Sequence, residues 1–214
     1  MKPIIEPPRE AYLTALLSLG RLGPARLTAL LSNGDAAPCW RKLCDGSALR
    51  VAGVSSDRLQ CWRVEARSID IAHEWSRVKE LSIVVSLAGE PDHPSRLRDD
   101  PEPPALLSRV GGPGPETPMV AVVGTRKCTA YGRRVAHELS AELTASGVSV
   151  VSGLALGIDA AAHNGALTIP GATPIGVVGS GLDIVYPRQN ARLWTQVRRR
   201  GTLLSEAPPG SGPE

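Results

Sequence analysis

The sequence predicts an α/β fold built on a parallel sheet, and three observations in residues 119–206 predict it. Short runs, Met119 to Val123, Val148 to Val151, Thr173 to Val178 and Thr202 to Leu204, are apolar and as a set rich in valine, as strands covered on both faces must be. Between them lie segments with helical periodicity. Nearly every run ends in a turn of small residues: Gly124-Thr125-Arg126, then Ser152-Gly153-Leu154-Ala155-Leu156-Gly157, then Gly179-Ser180-Gly181. Parallel strands joined by right-handed crossovers bring such turns to one edge, outside the carboxyl ends of the strands, where sheets of this kind bind ligands.

Composition bounds the rest. A chain of 214 residues with 42% apolar content can bury a core, and one larger domain with a smaller one is expected. The net charge of +3 permits an anionic partner without requiring one. Most of the positive charge is arginine, which grips phosphate through two parallel hydrogen bonds. No run is long and apolar enough to span a bilayer, and MKPIIEPPRE lacks the apolar centre of a secretory signal, so a cytoplasmic protein is expected. Cys39, Cys44, Cys61 and Cys128 form no close pair, which argues for reduced thiols and against a metal site.

From the N-terminus, Arg9 to Ser32 place leucines at helical spacing on both sides of Gly20-Arg21-Leu22-Gly23-Pro24. The pattern predicts a helical hairpin with Pro24 in the first turn of its second helix. It is similar to a helix-hairpin-helix or SAM-like unit, which can offer backbone N–H groups to DNA phosphates. A packing or protein-contact module is the reading favoured here, because Gly20 and Gly23 are spaced more widely than in the DNA-binding hairpin. Helical patterns continue to Val78, with Leu59, Trp62, Val64, Ile69, Ile71, Trp75 and Val78 as expected core positions. The helical module is thus placed at 1–78 and the α/β domain at 79–214. Leu81 to Leu87 reads as a strand opening that domain. The proline- and glycine-rich stretch to Pro118 predicts an ordered, extended connector without helix.

In the first turn, Gly124, Thr125, Arg126 and Lys127 follow a strand and precede a helix, a place that favours an anion. The pattern is not GxGxxG, and no acidic residue ends the second strand, so no dinucleotide or other cofactor is expected. At the second turn, Ser152, Gly153 and Leu154 let backbone approach a ligand, while Asp159 and His163 stand one helical turn apart and fasten the loop. With no third ligand or paired carboxylate beside them, they are read as structural and not as catalytic or metal-binding. At the third turn, Gly179, Ser180 and Gly181 form an anion-nest candidate, with Asp183 behind them, Arg188 at the same edge and Asn190 as a helix cap.

The set Val123-Gly124-Thr125-Arg126 with Tyr131-Gly132, Val151-Ser152-Gly153-Leu154-Ala155 with Gly157-Ile158-Asp159 and His163, Gly179-Ser180-Gly181-Leu182-Asp183 with Tyr186-Pro187 and Asn190, and Ser205-Glu206 with Pro208 and Gly210 closely resembles the DprA/Smf DNA-processing proteins. The resemblance implies an extended Rossmann-like domain that binds and protects single-stranded DNA and helps load the RecA recombinase in natural transformation. It implies no enzyme activity and no cofactor. On it, Gly124, Thr125, Arg126, Lys127, Ser152, Gly153, Leu154, Gly179, Ser180, Gly181 and Arg188 face DNA, and Asp159, His163 and Asp183 support the site. Members of that family continue past the segment matching Ser205 to Gly210, so part of the pocket, the homodimer surface and the RecA contact are expected to lie outside Glu214; a fragment or a degenerate member fits equally. The alternative is an enzyme of the nucleotide phosphoribohydrolase type, which shares this kind of sheet. Its PGGxGTxxE stretch is missing here, since Gly179-Ser180-Gly181-Leu182-Asp183 has no downstream glutamate.

Overall fold

The structure is a computed structural model and describes residues 6–97, 100–114 and 116–213. The chain divides into two compact units, Met1–Leu81 with Val85–Leu107, and Ser82–Val84 with Ser108–Glu214.

Among the described residues the first unit contains the helices α1 (Arg9–Leu17), α2 (Pro24–Leu31), α3 (Ala36–Asp45), α4 (Ser56–Ser68) and α5 (Ile71–Glu80). Leucines 13, 16, 27, 30 and 43 and Trp62 make its core, all at 2% exposure or less. Three of these helix starts show a clear local cause. Pro24 occupies the first turn of α2, where its missing N–H costs nothing, and the carboxylates of Asp35 and Asp70 accept from the Ala36 N–H of α3 and the His73 N–H of α5. The hairpin turn is held by α4: the Gly20 N–H donates to Glu65 at 2.8 Å, and the Trp62 indole N–H donates to the Gly20 carbonyl at 3.0 Å. Arg9 pairs with Asp35 and with Glu90, tying α1 to the start of α3 and to the connector, and its guanidinium holds the Asp35 carboxyl below its usual range. Val64, expected in the core, is 59% exposed because α4 turns that position outward, and Trp75 is half-buried.

Six strands follow: β1 (Val84–Leu87), β2 (Leu106–Gly111), β3 (Met119–Ala121), β4 (Ser149–Ser152), β5 (Ile175–Val177) and β6 (Thr202–Ser205), in sheet order β1-β2-β6-β5-β4-β3. β3, β4, β5 and β6 run parallel, as the valine-rich runs predict. The crossovers are α6 (Ala130–Ala145), α7 (Ile158–Leu167) and α8 (Ala191–Arg200). The proline-rich connector differs from expectation: it carries a 3-10 turn at Ser95–Leu97 and the strand β2, which pairs antiparallel with β6 in the register Ser108↔Ser205 to Gly111↔Thr202. Six residues free of proline and glycine until Gly111 are enough for a strand, and the flanking breakers hide it.

Successive right-handed crossovers stepping one way across the sheet place α6, α7 and α8 on one face. On that face Val150, Ala162 and Ala166 form a dry cluster with Val122 and Leu143 packed against it. The backbones of α6 and α7 meet closely, since a Cβ on Gly165 would lie 2.0 Å from the His137 carbonyl oxygen. The expectation that Met119 to Val123 is covered on both faces does not hold. β3 is the last strand of the sheet, Val120 is 40% exposed, and Val123 just beyond it is 70% exposed. Val177, whose side chain alternates to the face opposite Val150, is 49% exposed. Tyr131, Val135 and Leu139 add an exposed stripe at four-residue spacing along α6.

An open strand edge beside exposed apolar side chains favours association. The chain is expected to be monomeric at low concentration and to associate non-specifically as concentration rises. Light scattering across a dilution series checks this. Val123→Lys combined with Tyr131→Lys should suppress the association while changing stability by no more than about 0.5 kcal/mol, as for solvated surface positions.

Candidate nucleic-acid interface

The three glycine turns lie at the carboxyl ends of β3, β4 and β5, and side chains that leave one turn to bond another hold them together. Asp159, at the start of α7, is 7% exposed, and its two oxygens accept from the N–H of Gly124 at 3.3 Å and of Gly153 at 3.1 Å. A buried carboxylate is tolerable only when hydrogen-bonded, and this one joins the first turn to the second. The Ser152 hydroxyl donates to the Val122 carbonyl at 2.7 Å, a second tie between the same strands. Closeness also explains two glycines. A Cβ on Gly157, at φ +86°, would stand 2.2 Å from the Thr125 carbonyl oxygen, and a Cβ on Gly124 would stand 2.9 Å from the Ile158 Cβ.

His163, one turn beyond Asp159, is fully buried. Its Nε2 lies 3.3 Å from the Ser152 carbonyl, while Nδ1 meets no partner among the described residues. The ring is therefore neutral, with its proton on Nε2 and donated to that carbonyl. Burial pushes its pKa down to about 4, against the smaller opposing pull of the Ser152 carbonyl and the Asp159 charge.

The third turn is closed from within. The Ser180 hydroxyl donates to the Ile184 carbonyl at 2.9 Å, and the Ser205 hydroxyl donates to the Ser180 carbonyl at 2.8 Å. The Gly181 N–H donates to the Ser211 carbonyl at 2.9 Å, and Asp183 accepts from the Gly210 N–H at 2.8 Å. Gly179 is exposed with open space beside it. After it, Arg188–Asn190 form a 3-10 turn leading into α8. Asn190 stands at the N-cap of α8, as the sequence suggests, yet its side chain makes no capping bond. Its amide reaches across to the second turn and donates to the carbonyls of Leu154 at 2.8 Å and Ala155 at 3.1 Å.

Apart from Gly179, the positions expected from sequence to face DNA fall into two groups. Gly124, Ser152, Gly153, Leu154, Ser180 and Gly181 all have backbone or hydroxyl groups already engaged within the protein. Thr125, Arg126, Lys127 and Arg188 are exposed, and among the described residues the side chains of Arg126, Lys127 and Arg188 have no hydrogen bond or ion pair. Sequence reasoning missed Asn190 and Ser205 as ties between turns; an amide or hydroxyl directly after a glycine turn or strand is the only trace they leave. Among the described residues no three His, Cys, Asp or Glu side chains gather as a metal site would require. No helix of the described residues is long and apolar enough to cross a membrane.

A mostly parallel sheet with α6, α7 and α8 as its crossovers and glycine turns at the carboxyl ends of its strands defines a Rossmann-like α/β protein. Residues 84–214 match the family of DNA recombination-mediator protein A, and the chain belongs to that family. Protein Smf of Synechocystis is 44% identical over 131 residues, 58% of this chain and 32% of that protein. The crystal structure of DNA processing protein A from Streptococcus pneumoniae is similar at a TM-score of 0.70 and 29% identity, over 95% of this chain and 70% of that one. DNA processing protein A from Helicobacter pylori, known for its single-stranded DNA binding mode, is similar at a TM-score of 0.51 and 29% identity, over 63% of this chain and 60% of that one. The chain spans less than half the length of the curated relatives it matches.

His163 generates a pH dependence with a definite sign. Its folded pKa of about 4 lies below its ordinary 6.5, so the unfolded chain binds the extra proton first. Its contribution to stability is complete above pH 6.5 and falls as pH drops toward 4, by on the order of 3 kcal/mol. Melting temperatures measured from pH 7 to pH 4 should decline, and His163→Asn should flatten the decline. The remaining slope belongs in part to His93, whose burial lowers its pKa in the same sense.

Proposed function

We propose that the chain binds single-stranded DNA at the edge formed by its three glycine turns, with Arg126, Lys127 and Arg188 meeting phosphates and Thr125 and Gly179 leaving room for the strand. The observation that carries this reading is the division at the site: the turn backbone is tied up internally, and three cations are left exposed and unpaired around it. The Asp159 carboxylate takes the Gly124 and Gly153 amides, so phosphate is met by side chains at those turns. Bases need not be read for such a contact, which suits a protein that covers DNA irrespective of sequence. The relationship to the H. pylori protein supports the choice of a single strand.

On this reading the protein works by binding and not by catalysis. It protects the strand and passes it to a RecA-type recombinase during DNA uptake and natural transformation, in the cytoplasm. The domain of residues 79–214 carries the DNA, and the helical module of residues 1–78 serves packing and protein contact. Its Gly20 amide, the group a DNA-binding hairpin would present, is bonded to Glu65. A homodimer and the recombinase contact are proposed for the family's full-length architecture.

Titration of oligo-dT at several salt concentrations tests the reading. With about 3 to 5 phosphates neutralised, log affinity should fall with log salt at a slope near −0.7 per phosphate, and duplex of the same length should bind more weakly. Equal or tighter duplex binding would overturn it.

Removing one cation gives a sharper check. Arg126→Ala should cost about 1.5 to 3 kcal/mol of binding, the worth of a charged hydrogen bond, with the melting temperature unchanged. A lowered melting temperature with intact affinity would make Arg126 structural.

A further inference from the structure

We propose that Asn190 is a positioning residue for Arg188, so that the second and third turns present one continuous phosphate path. The inference rests on the DNA-binding reading above and adds a residue that meets no DNA itself. Arg188 and Asn190 are the two ends of a single 3-10 turn, preceded by buried Pro187 and followed directly by α8. A unit this short has no core of its own, so something outside it must hold it in register. The Asn190 side chain provides that hold: it spends no bond on capping α8 and gives its N–H donors to the Leu154 and Ala155 carbonyls, 36 and 35 residues earlier in the chain.

The receiving end is rigid for separate reasons. Leu154 is fully buried and takes the left-handed conformation, φ +59°, which a leucine adopts only where its surroundings impose it. Gly153 just before it is fastened through its N–H to Asp159, which in turn holds Gly124 two residues before Arg126. A chain of bonds therefore runs from the Arg126 turn through Asp159, Gly153 and Leu154 to Asn190 and the Arg188 turn. Both exposed arginines are set on one framework, though neither touches it with its own side chain. Asparagine suits the position because its amide donates two bonds to two carbonyls. Aspartate has the same shape and no donor, and would set a charge against both oxygens.

A double-mutant cycle on the intact chain tests this, read by oligo-dT affinity and its salt slope, with melting temperature measured for every variant. Arg188→Ala should weaken binding about tenfold and lower the salt slope by about 0.7, the share of one phosphate. Asn190→Ala should produce a similar loss and the same change of slope, and the double variant should be no weaker than Arg188→Ala alone, since Asn190 acts only through Arg188. Asn190→Asp, which keeps the volume, should lose at least as much as Asn190→Ala, and Asn190→Leu, similar in size and without donor or charge, stands in for the alanine variant if that fails to fold. Losses that multiply in the double variant, or an Asn190 variant that melts earlier yet binds with unchanged affinity and slope, overturn the proposal. If Arg188→Ala leaves binding unaltered, the assignment of Arg188 to DNA falls. If Arg188→Ala weakens binding and Asn190→Asp does not, the DNA-binding reading stands and this inference alone fails.

Discussion

The carboxylate of Asp159 is the interaction on which the candidate site depends. Gly124 and Gly153 end neighbouring parallel strands, and their N–H groups converge at a point where the backbone itself offers no acceptor. Leaving these partly buried donors unpaired would cost stability, and the first turn of α7 supplies a carboxylate whose two oxygens each take one of them. Once that carboxylate is in place, Gly157 must pass within contact of the Thr125 carbonyl, and Ile158 must lie against Gly124. Both glycines are then obligatory for space and not for ligand approach alone. His163 completes the arrangement one turn later, kept neutral by burial beside the same strand.

A site organised this way separates support from contact. Conserving the turn geometry requires that backbone donors be satisfied inside the protein, which withdraws them from a ligand. On the proposed reading, contact falls to the long, flexible cations Arg126, Lys127 and Arg188, which lose side-chain entropy when they order. Such an edge is suited to a charged, pliable polymer better than to a small molecule that needs a closed and shaped cavity.

Much of the sheet was legible in the amino-acid sequence, and the failures are instructive. Valine runs ending in small-residue turns marked β3 to β5, and the apolar run Thr202 to Leu204 marked β6, each to within about two residues, because parallel strands and their turns have local chemistry. β2 was not legible: Leu106–Gly111 sits among prolines, and its pairing with β6 joins residues nearly a hundred positions apart. Val123 reads as core by composition, yet exposure is a property of what covers a strand, and β3 is the last strand of its sheet. Val64 failed for a related reason, since helical spacing identifies an apolar stripe without saying which side of α4 meets its neighbours.

By itself the sequence determined the class of fold, the helical module before it, the three small-residue turns, the cations that flank them and the family to which the whole set bears a likeness. These are written in neighbouring residues, where periodicity, turn chemistry and charge act over a few ångströms of chain. Only the tertiary structure decided which turn groups are spent internally and which stand free. Asp159 and Gly124 lie 35 residues apart, Asn190 and Ala155 likewise, and the bonds between them exist because right-handed crossovers return the chain to one edge of the sheet. Hydrogen bonding is directional and short-ranged, so the partner of a side chain is settled by the place to which the fold carries it, and no local pattern encodes that place.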